Sequence, residues 1–213
     1  MKAVVVLPTK NEEKSLEYMV KKIRKLRLPL FIVDEHSKDK TLSIAKKLKV
    51  PVHQRDGSGK GYGVRKAIQI ASEKGYDAVV LIDCDTTYPP EYIPVMLKYI
   101  QKYDMVVGSR KMRHITFLHR LPNIIHTETI NLLYGANLKD INSGLRAFKI
   151  EELKGLDAEG FDIEAQITAK ALKRRLRIKE IPIEYKKRIG KSKIRIKDGF
   201  IILSRIIKER FRG

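Results

Sequence analysis

Short runs of β-branched and other apolar residues alternate, in the first half of the chain, with longer segments in which apolar residues recur every three or four positions. The first pattern is typical of buried strands and the second of amphipathic helices. Their alternation predicts a mostly parallel sheet flanked by helices, in the order βαβαβαβαβ up to residue 109. The predicted strands are 3–7, 30–33, 51–53, 78–82 and 105–108, and the predicted helices are 12–26, 41–49, a segment ending near 72, and 91–102.

The second half of the chain has a less regular pattern. It predicts helices at 123–134 and 163–175, a turn at Ser143-Gly144, a strand near 178–183 and a last helix from Asp198. Pro8 is predicted to end the first strand. Because 213 residues suffice for one compact α/β domain and are marginal for two, we expect a single domain over 1–213.

Polar residues follow several predicted strands, and in parallel sheets ligands bind beyond the carboxyl ends of the strands. Asp83 and Asp85 end the most apolar strand, and the Thr-Thr-Tyr-Pro-Pro segment after them cannot continue it. Two such carboxylates are suited to a hard divalent cation that also binds diphosphate oxygens. Asp34 is either a ligand for a base or ribose or a turn residue. Glu12 is either a site residue or an acid in the first turn of a helix.

The charge balance favours anionic partners, because 45 Lys and Arg oppose 25 Asp and Glu, a formal charge of +20. From residue 171 to the end there are sixteen Lys or Arg and four Asp or Glu. Phosphorylated substrates, nucleic acid and an anionic membrane surface are all compatible with this charge. Acidic strand ends would repel the phosphates of nucleic acid, so we expect no nucleic-acid partner.

Cysteine usage and hydropathy indicate the compartment. A single cysteine, Cys84, permits no internal disulfide, and no apolar stretch reaches the length of a spanning helix. With no signal pattern at the N-terminus, we expect a cytoplasmic protein whose membrane association is peripheral.

Two basic segments each have two interpretations. The segment Arg188-Ile189-Gly190-Lys191-Ser192-Lys193 is either a phosphate clamp or a solvated loop, and the glycine-rich segment 57–63 is suited to phosphate but is not a P-loop. The last helix either lies on an anionic bilayer or packs on the domain. Its apolar side comprises Phe200, Leu203, Ile206, Ile207 and Phe211.

Several motifs, in order along nearly the whole chain, resemble those of glycosyltransferase family 2, and the later ones resemble dolichyl-phosphate mannose synthases and related polyprenyl-phosphate sugar transferases. They are Pro8-Thr9-Lys10-Asn11-Glu12, Val33-Asp34-Glu35-His36-Ser37, Gly59-Lys60-Gly61, Asp83-Cys84-Asp85, Gly108-Ser109-Arg110, Asn142-Ser143-Gly144-Leu145-Arg146-Ala147-Phe148, Glu164, Lys170-Ala171, Glu180-Ile181-Pro182-Ile183 and the segment from Arg188 to Lys193. The resemblance implies the GT-A fold. Within this fold we expect a donor-binding half at 1–109 and an acceptor half at 110–197, followed by the basic amphipathic C-terminal helix at 198–213 that the residue pattern predicts.

The resemblance implies the roles of individual residues. Asp85 and Arg110 would be catalytic, and Asp83 and Asp85, with Thr87, would hold Mg²⁺ or Mn²⁺. The nucleotide-sugar would contact Pro8, Thr9, Glu12, Val33, Asp34, Lys60, Asp83, Cys84 and Asp85. The phosphates and the acceptor would contact Arg110, Arg120, Arg146, Glu164, Arg188, Ser192 and Lys193.

The expected reaction is inverting transfer of a hexose, with mannose from GDP-mannose as first candidate, to a polyprenyl or dolichyl phosphate. A UDP-sugar donor and a sugar-hydroxyl acceptor are the alternative, and a hydroxyl would need Asp162 or Glu164 as base. A non-enzymatic nucleic-acid binder is more distant. Two positions depart from the synthase pattern, Thr86-Thr87 after the aspartates and Glu35 after Asp34. The sequence indicates no oligomeric state.

Overall fold

The structure is a computed structural model that describes residues 1–111, 117–186, 188–190 and 193–212. Its described strands are β1 (Ala3–Thr9), β2 (Leu30–Asp34), β3 (Val52–Gln54), β4 (Ala78–Leu81), β5 (Met105–Arg110), β6 (Arg146–Lys149) and β7 (Ile178–Ile183). They form one sheet in the order β3-β2-β1-β4-β6-β5-β7, in which β6 alone is antiparallel to its neighbours.

The longer helices cover both faces of the sheet, and the predicted order up to residue 109 is confirmed. They are α1 (Leu16–Arg24), α2 (Thr41–Lys47), α3 (Lys60–Glu73), α4 (Ile93–Tyr99), α5 (Phe117–Tyr134), α6 (Ile163–Lys173) and α7 (Ile196–Phe211). Short 3₁₀ turns occupy Pro90–Tyr92 and Ile150–Glu152. No helix in the described ranges is long and apolar enough to cross a membrane.

The prediction that Pro8 ends the first strand was wrong. Pro8 lies inside β1, paired with Val33 of β2. The backbone of Val6 and Pro8 faces β4, where the Val6 carbonyl accepts a hydrogen bond from the Ile82 N–H, and the pairing of β1 with β4 ends at Val6. Because no strand pairs with β1 on that side of Pro8, the missing N–H of proline costs no hydrogen bond of the sheet.

Two helices begin four or more residues from the predicted position, and α4 and α7 begin within two residues of it. Residues 12–15 form a turn, so α1 begins at Leu16, and α5 begins at Phe117 with Pro122 inside it. Proline removes one helical hydrogen bond, but its φ is compatible with a helix. Packing of the rest of α5 outweighs that loss.

Strand β6 was missed by the sequence analysis. It pairs antiparallel between β4 and β5, and Arg146 at its start is almost completely buried. A four-residue strand with a charged residue at each end has no apolar pattern. Only its position between two buried strands makes it part of the sheet.

Two apolar cores lie on opposite faces of the sheet. Alternate residues of β1 supply them, with Val5 and Leu7 on the face of α1, α2 and α4, and Val4 and Val6 on the face of α3 and α6. A third cluster joins α5, α6 and α7 and includes Ile202 and Ile206. The last helix thus packs on the domain through one of its sides.

Candidate active site

The carboxyl edge of the sheet brings together residues from the ends of four strands. Asp83 and Asp85 follow β4, Thr9 ends β1, Asp34 ends β2 and Arg110 ends β5. Because β6 runs in the opposite direction, the segment that precedes it reaches the same edge. The sequence-predicted cleft is therefore formed by elements far apart in the chain.

Asp83 lies against the backbone of the 143–145 turn. A Cβ atom on Gly144 would stand 2.2 Å from Asp83 Oδ2. The Gly144 N–H donates a hydrogen bond of 2.8 Å to the hydroxyl of buried Tyr88. Only glycine permits this approach between the turn and the carboxylate.

Lys60 bridges Asp83 and Glu164. Its ammonium group lies 2.8 Å from Asp83 Oδ1 and 2.6 Å from Glu164 Oε1. Burial acts to lower the pKa of Lys60, but the two carboxylates outweigh it and raise that pKa above its ordinary value. Burial likewise acts to raise the pKa of Asp83, and Lys60 with nearby arginines brings it below its ordinary value. Lys60 and Asp83 are therefore charged at neutral pH.

Asp85 is held from both sides. Its Oδ2 lies 2.6 Å from a guanidinium nitrogen of Arg188, and its Oδ1 accepts hydrogen bonds from the N–H and the hydroxyl of Thr87. Thr87 is completely buried. The Thr87 hydroxyl is turned to Asp85 and orients that carboxylate, and its predicted role as a metal ligand stays a prediction.

The nucleoside candidates line the ends of β1 and β2. Asp34 is fully buried and accepts hydrogen bonds from the hydroxyls of Thr9 (3.2 Å) and Ser37 (2.5 Å). Pro8 is half-buried in the same strand, whereas the Val33 side chain points into the core on the α3 and α6 face.

Glu12 forms an ion pair of 2.5 Å with Lys193, which also donates to the backbone carbonyl of Lys10. Burial raises the pKa of Glu12, and Lys193 offsets part of that effect. The pair ties the basic segment before α7 to the end of β1. Glu12 is thus at the cleft and not in a helix, which favours the first of its two interpretations.

Arg110 is tied to Asp140, a residue that the sequence analysis did not select. Its Nε lies 2.6 Å from Asp140 Oδ2, a second guanidinium nitrogen lies 2.8 Å from Oδ1, and Tyr185 packs its ring against the guanidinium group. Burial acts to lower the pKa of Arg110, but Tyr88 and Asp140 raise it well above its ordinary value. Arg110 is therefore a charged group with a defined orientation.

Two predicted site residues, in addition to Val33, have side chains outside the cleft. Arg146 is 1% exposed and donates to the carbonyls of Ser143 and Ile141 and to the hydroxyl of Thr168, so it supports the turn and cannot bind a phosphate without leaving these partners. The Cys84 side chain packs in the core on the α1 face, where burial raises its pKa.

Arg120 and Ser192 are the remaining residues of the predicted site. Arg120 lies half-buried in the first half of α5. Ser192 lies outside the described residues, so its predicted contact with the acceptor stays a prediction.

The glycine-rich segment before α3 was interpreted as suited to phosphate. Cβ atoms on Gly59 and Gly61 would stand 2.3 and 2.1 Å from the carbonyl oxygens of Glu159 and Ala158. The Gly61 N–H donates to the Glu159 carbonyl. These glycines therefore allow α3 to pack on the 158–159 segment, which positions Lys60 at the cleft.

The carboxylates of the cleft suit a divalent cation that would be bound mainly through substrate phosphates. Among the described residues, no group of three or more His, Cys, Asp or Glu is placed to hold a metal ion. Asp83 and Asp85 offer hard oxygen ligands of the kind that Mg²⁺ and Mn²⁺ accept. Mg²⁺ typically binds one or two carboxylates together with substrate phosphates and water.

The fold defines the class of protein. The chain superposes on glucosyl-3-phosphoglycerate synthase from Mycobacterium tuberculosis, crystallised with Mn²⁺, UDP-glucose and phosphoglyceric acid, with a TM-score of 0.82 and 19% sequence identity. The match covers 98% of this chain and 79% of that one. The predicted GT-A fold is confirmed.

Sequence comparison then gives the family. Residues 4–161 match the model of glycosyl transferase family 2. The chain is 32% identical to a dolichyl-phosphate hexose transferase of Haloferax volcanii, over 89% of this chain and 85% of that protein. It is 27% identical to an undecaprenyl-phosphate mannosyltransferase of Micrococcus luteus, over 91% and 88%. The chain belongs to glycosyltransferase family 2 and is a glycosyltransferase, as the motifs predicted.

Proposed function

We propose that this enzyme transfers a hexose from a nucleotide-sugar to a polyprenyl or dolichyl phosphate, with inversion and with Mg²⁺ or Mn²⁺ as cofactor. Mannose from GDP-mannose is the first candidate donor. Two relatives, from Haloferax volcanii and Micrococcus luteus, carry names that specify a hexose or mannose and a polyprenyl-type phosphate. The structural relative crystallised with Mn²⁺ and UDP-glucose supports a divalent cation in this fold.

One observation carries the proposal: cations and carboxylates alternate across the cleft. Lys60 contacts Asp83, and Arg188 contacts Asp85. Arg110, also paired with a carboxylate, lies at the end of β5. A site for a single diphosphate needs the carboxylates for its metal ion. The additional cations supply charge for a second phosphate, that of the acceptor.

A divalent ion on Asp83 and Asp85 would neutralise charge on the departing nucleoside diphosphate. Lys60 and Arg188 contact these same carboxylates. With the carboxylates engaged elsewhere, the two side chains would turn their charge toward phosphate oxygens, where charge-assisted hydrogen bonds are strong. Thr87 would keep the Asp85 carboxylate in position throughout.

The acceptor side favours a phosphate over a sugar hydroxyl. A hydroxyl needs a general base, and the two carboxylates considered for that task are engaged. Asp162 lies 2.7 Å from Arg205, and Glu164 lies 2.6 Å from Lys60. A lipid phosphate is already anionic at neutral pH, so it needs only to be positioned for attack on the anomeric carbon.

The donor half would bind the nucleoside at the ends of β1 and β2. Asp34 presents a buried carboxylate that already accepts two hydroxyl hydrogen bonds. Glu35 contacts Lys10, Arg55 and Ser58. These residues would determine whether the enzyme prefers a guanine or a uracil nucleotide.

The decisive experiment offers the enzyme GDP- and UDP-sugars with Mn²⁺ and a short, water-soluble polyprenyl phosphate, and reads the product by mass. We expect glycosyl-phosphoprenol from a GDP-sugar. Asp85→Asn should lower turnover at least about a hundredfold, because the charge that holds the cation is lost. Asp77→Asn, at the opposite end of the same strand, should be neutral. Near-normal turnover by folded Asp85→Asn would contradict the metal role, and transfer only to a sugar hydroxyl would contradict the acceptor.

A further inference from the structure

Helices α5 and α7 carry most of the large apolar side chains that the described residues expose. Nine of the thirteen lie on these two helices, which are 18 and 16 residues long. Apolar residues on a soluble surface are usually scattered, and a cluster marks a surface that contacts something apolar. The nine are Leu121, Ile124, Ile125, Leu132, Ile196, Phe200, Ile201, Ile207 and Phe211.

The two helices lie side by side and run in the same direction. His126 Nε2 donates a hydrogen bond of 2.9 Å to the carbonyl of Gly199, near the start of α7. Farther along, the Tyr134 hydroxyl donates to the carbonyl of Ile206 at 3.0 Å. Arg210 Nε donates to the carbonyl of Leu133 at 2.8 Å. Residues later in α5 thus meet residues later in α7.

Seven of the nine exposed apolar residues form one stripe on each helix, on the side away from the buried residues of that helix. At about 100° per residue, the four stripe residues of α7 fall within about 60° of its circumference, and the three of α5 within about 40°. On α7 the stripe lies about 90° around the helix from the residues that contact α5, and on α5 it lies about 140° from the residues that contact α7, in the opposite rotational sense. Because the helices are parallel and the two rotations are opposite, both stripes face the same side. They are Leu121, Ile125 and Leu132 on α5, and Ile196, Phe200, Ile207 and Phe211 on α7.

The exposure of these side chains is large because other residues of α7 do the packing. Phe200 is 73% exposed and Phe211 77%, whereas Ile202 and Ile206 are buried against α5 and α6. On α5, Leu132 is 85% exposed. The stripes are therefore not required by the core.

Basic side chains accompany the apolar surface. Lys197, Lys208 and Arg210 are exposed on α7, and in the described chain neither lysine has a salt-bridge partner. On these two helices the one exposed acidic side chain among the described residues is Glu128. An apolar surface with cations beside it complements an anionic bilayer, whose headgroups attract the cations while the acyl region takes up the apolar side chains.

The beginning of this surface adjoins the cleft. In the first half of α5, Asn123 accepts a hydrogen bond of 2.9 Å from Asn142, and His126 contacts the same amide at 2.9 Å. Arg110 lies 3.5 Å from Asn123. Lys193, which contacts Glu12, lies three residues before α7. A phosphate at the membrane surface would therefore be close to the cations of the active site.

The geometry points to the outer surface of α5 and α7 as the membrane-docking surface of the enzyme, with an anionic bilayer as its partner. We call the seven stripe residues the docking surface. Docking does not depend on the identity of the donor or acceptor. Only the further statement, that docking presents the lipid phosphate to the cleft, rests on the proposed function.

Sedimentation of the full-length protein with vesicles tests the docking surface. The double variant Phe200→Ser/Phe211→Ser should weaken partition onto vesicles of phosphatidylcholine and phosphatidylglycerol at least about tenfold, because two buried aromatic side chains are lost from the bound state. Lys197→Glu/Lys208→Glu should weaken binding to these vesicles and leave the weaker binding to pure phosphatidylcholine unchanged. Val95→Ser, which removes another exposed apolar side chain from α4, is the matched control.

The outcomes separate docking from catalysis. Both variants should keep full turnover on the water-soluble acceptor and lose it on acceptor embedded in vesicles. Unchanged vesicle binding by the Phe200→Ser/Phe211→Ser variant would overturn the inference. So would a dimer in analytical ultracentrifugation that the same substitutions dissociate, because the surface would then be covered by a second copy. Vesicle binding without transfer to any soluble acceptor would refute the proposed function alone.

Discussion

At the scale of single residues, the site depends on close approaches that leave no room for a side-chain atom. The 143–145 turn packs directly on the carboxylate of Asp83, and Arg146 supports that turn from beneath by hydrogen bonds to the carbonyls of Ser143 and Ile141. A buried arginine is tolerated here because its donors are satisfied. The Asp83 carboxylate is thus positioned by the backbone of the turn as much as by its own strand.

Gly144→Ala tests this contact. A Cβ atom 2.2 Å from Asp83 Oδ2 forces the turn or the carboxylate to move. We expect the free energy of unfolding to fall by about 1–3 kcal/mol, as for other overpacking substitutions. Turnover should fall at least about tenfold, because a misplaced catalytic group loses rate steeply.

Gly199→Ala is the control for Gly144→Ala. Its Cβ atom would meet only His126 Nε2, at 4.0 Å, inside a helix that favours alanine. We expect unchanged or slightly higher stability in urea unfolding. Equal effects of the two substitutions would mean that the contact with Asp83 is unimportant.

At the scale of elements, α7 is anchored to α6 by a network of charges. Arg205 contacts both Asp162 and Asp157, and Arg212 contacts Asp157 at 2.6 Å. Buried Glu209 accepts a hydrogen bond of 2.6 Å from Gln166. These contacts, with the apolar cluster below them, hold α7 in an orientation that leaves its apolar stripe exposed.

Asp157→Asn should weaken this anchor in a pH-dependent way. Hydrogen bonding to Arg212 is the main cause that lowers the pKa of Asp157 to about 2, below about 3.9 for an unfolded chain. A lowered folded-state pKa means that the stabilisation is complete above about pH 4 and is lost as the pH falls through 2. Because the Asp157 side chain is 44% exposed, we expect the substitution to lower the free energy of unfolding by at most about 1 kcal/mol at pH 7 and by roughly half of that at pH 3.

Urea unfolding of both proteins at pH 7 and pH 3 measures this difference. Glu128→Gln, on the exposed side of α5, should show no difference from the unsubstituted protein at either pH. A loss of stability in Asp157→Asn that is larger at pH 3 than at pH 7 would contradict a lowered pKa of Asp157 in the folded protein.

At the scale of the whole molecule, the sheet collects opposite charges at one edge. The chain has a net charge of +20, yet Glu12, Asp83, Asp85 and Glu164 meet at the cleft, each paired with a cation. Paired in this way, they cost less to bury than isolated charges. We therefore expect the protein to fold without a metal ion.

Removal of divalent cations should separate activity from stability. EDTA should abolish sugar transfer, because the proposed reaction needs the cation. It should shift the melting temperature by less than about 2 °C, because no group of three or more potential metal ligands is found in the described ranges. Adding Mn²⁺ together with nucleoside diphosphate should raise the melting temperature by mass action. A large loss of stability in EDTA alone would indicate a structural metal site instead.

Much of the fold could be predicted because its determinants are local. The apolar runs of β1, β2, β4 and β5 and the helical periodicity between them are legible in the sequence, and Asp83 and Asp85 stand directly after a buried strand. Strand β6 was not predictable in this way. Its residues become a strand only because β4 and β5 flank them.

The sequence by itself determined the family, the order of elements up to residue 109 and the carboxylates at the strand ends, because each depends on residues that are neighbours in the chain. Only the tertiary structure decided which side chains meet across the cleft. Lys60 and Glu164, 104 positions apart, both reach the end of β4, and Arg146 turns inward. The structure also divided α7 between a packed side and an exposed side, since burial depends on which neighbouring helices a face meets.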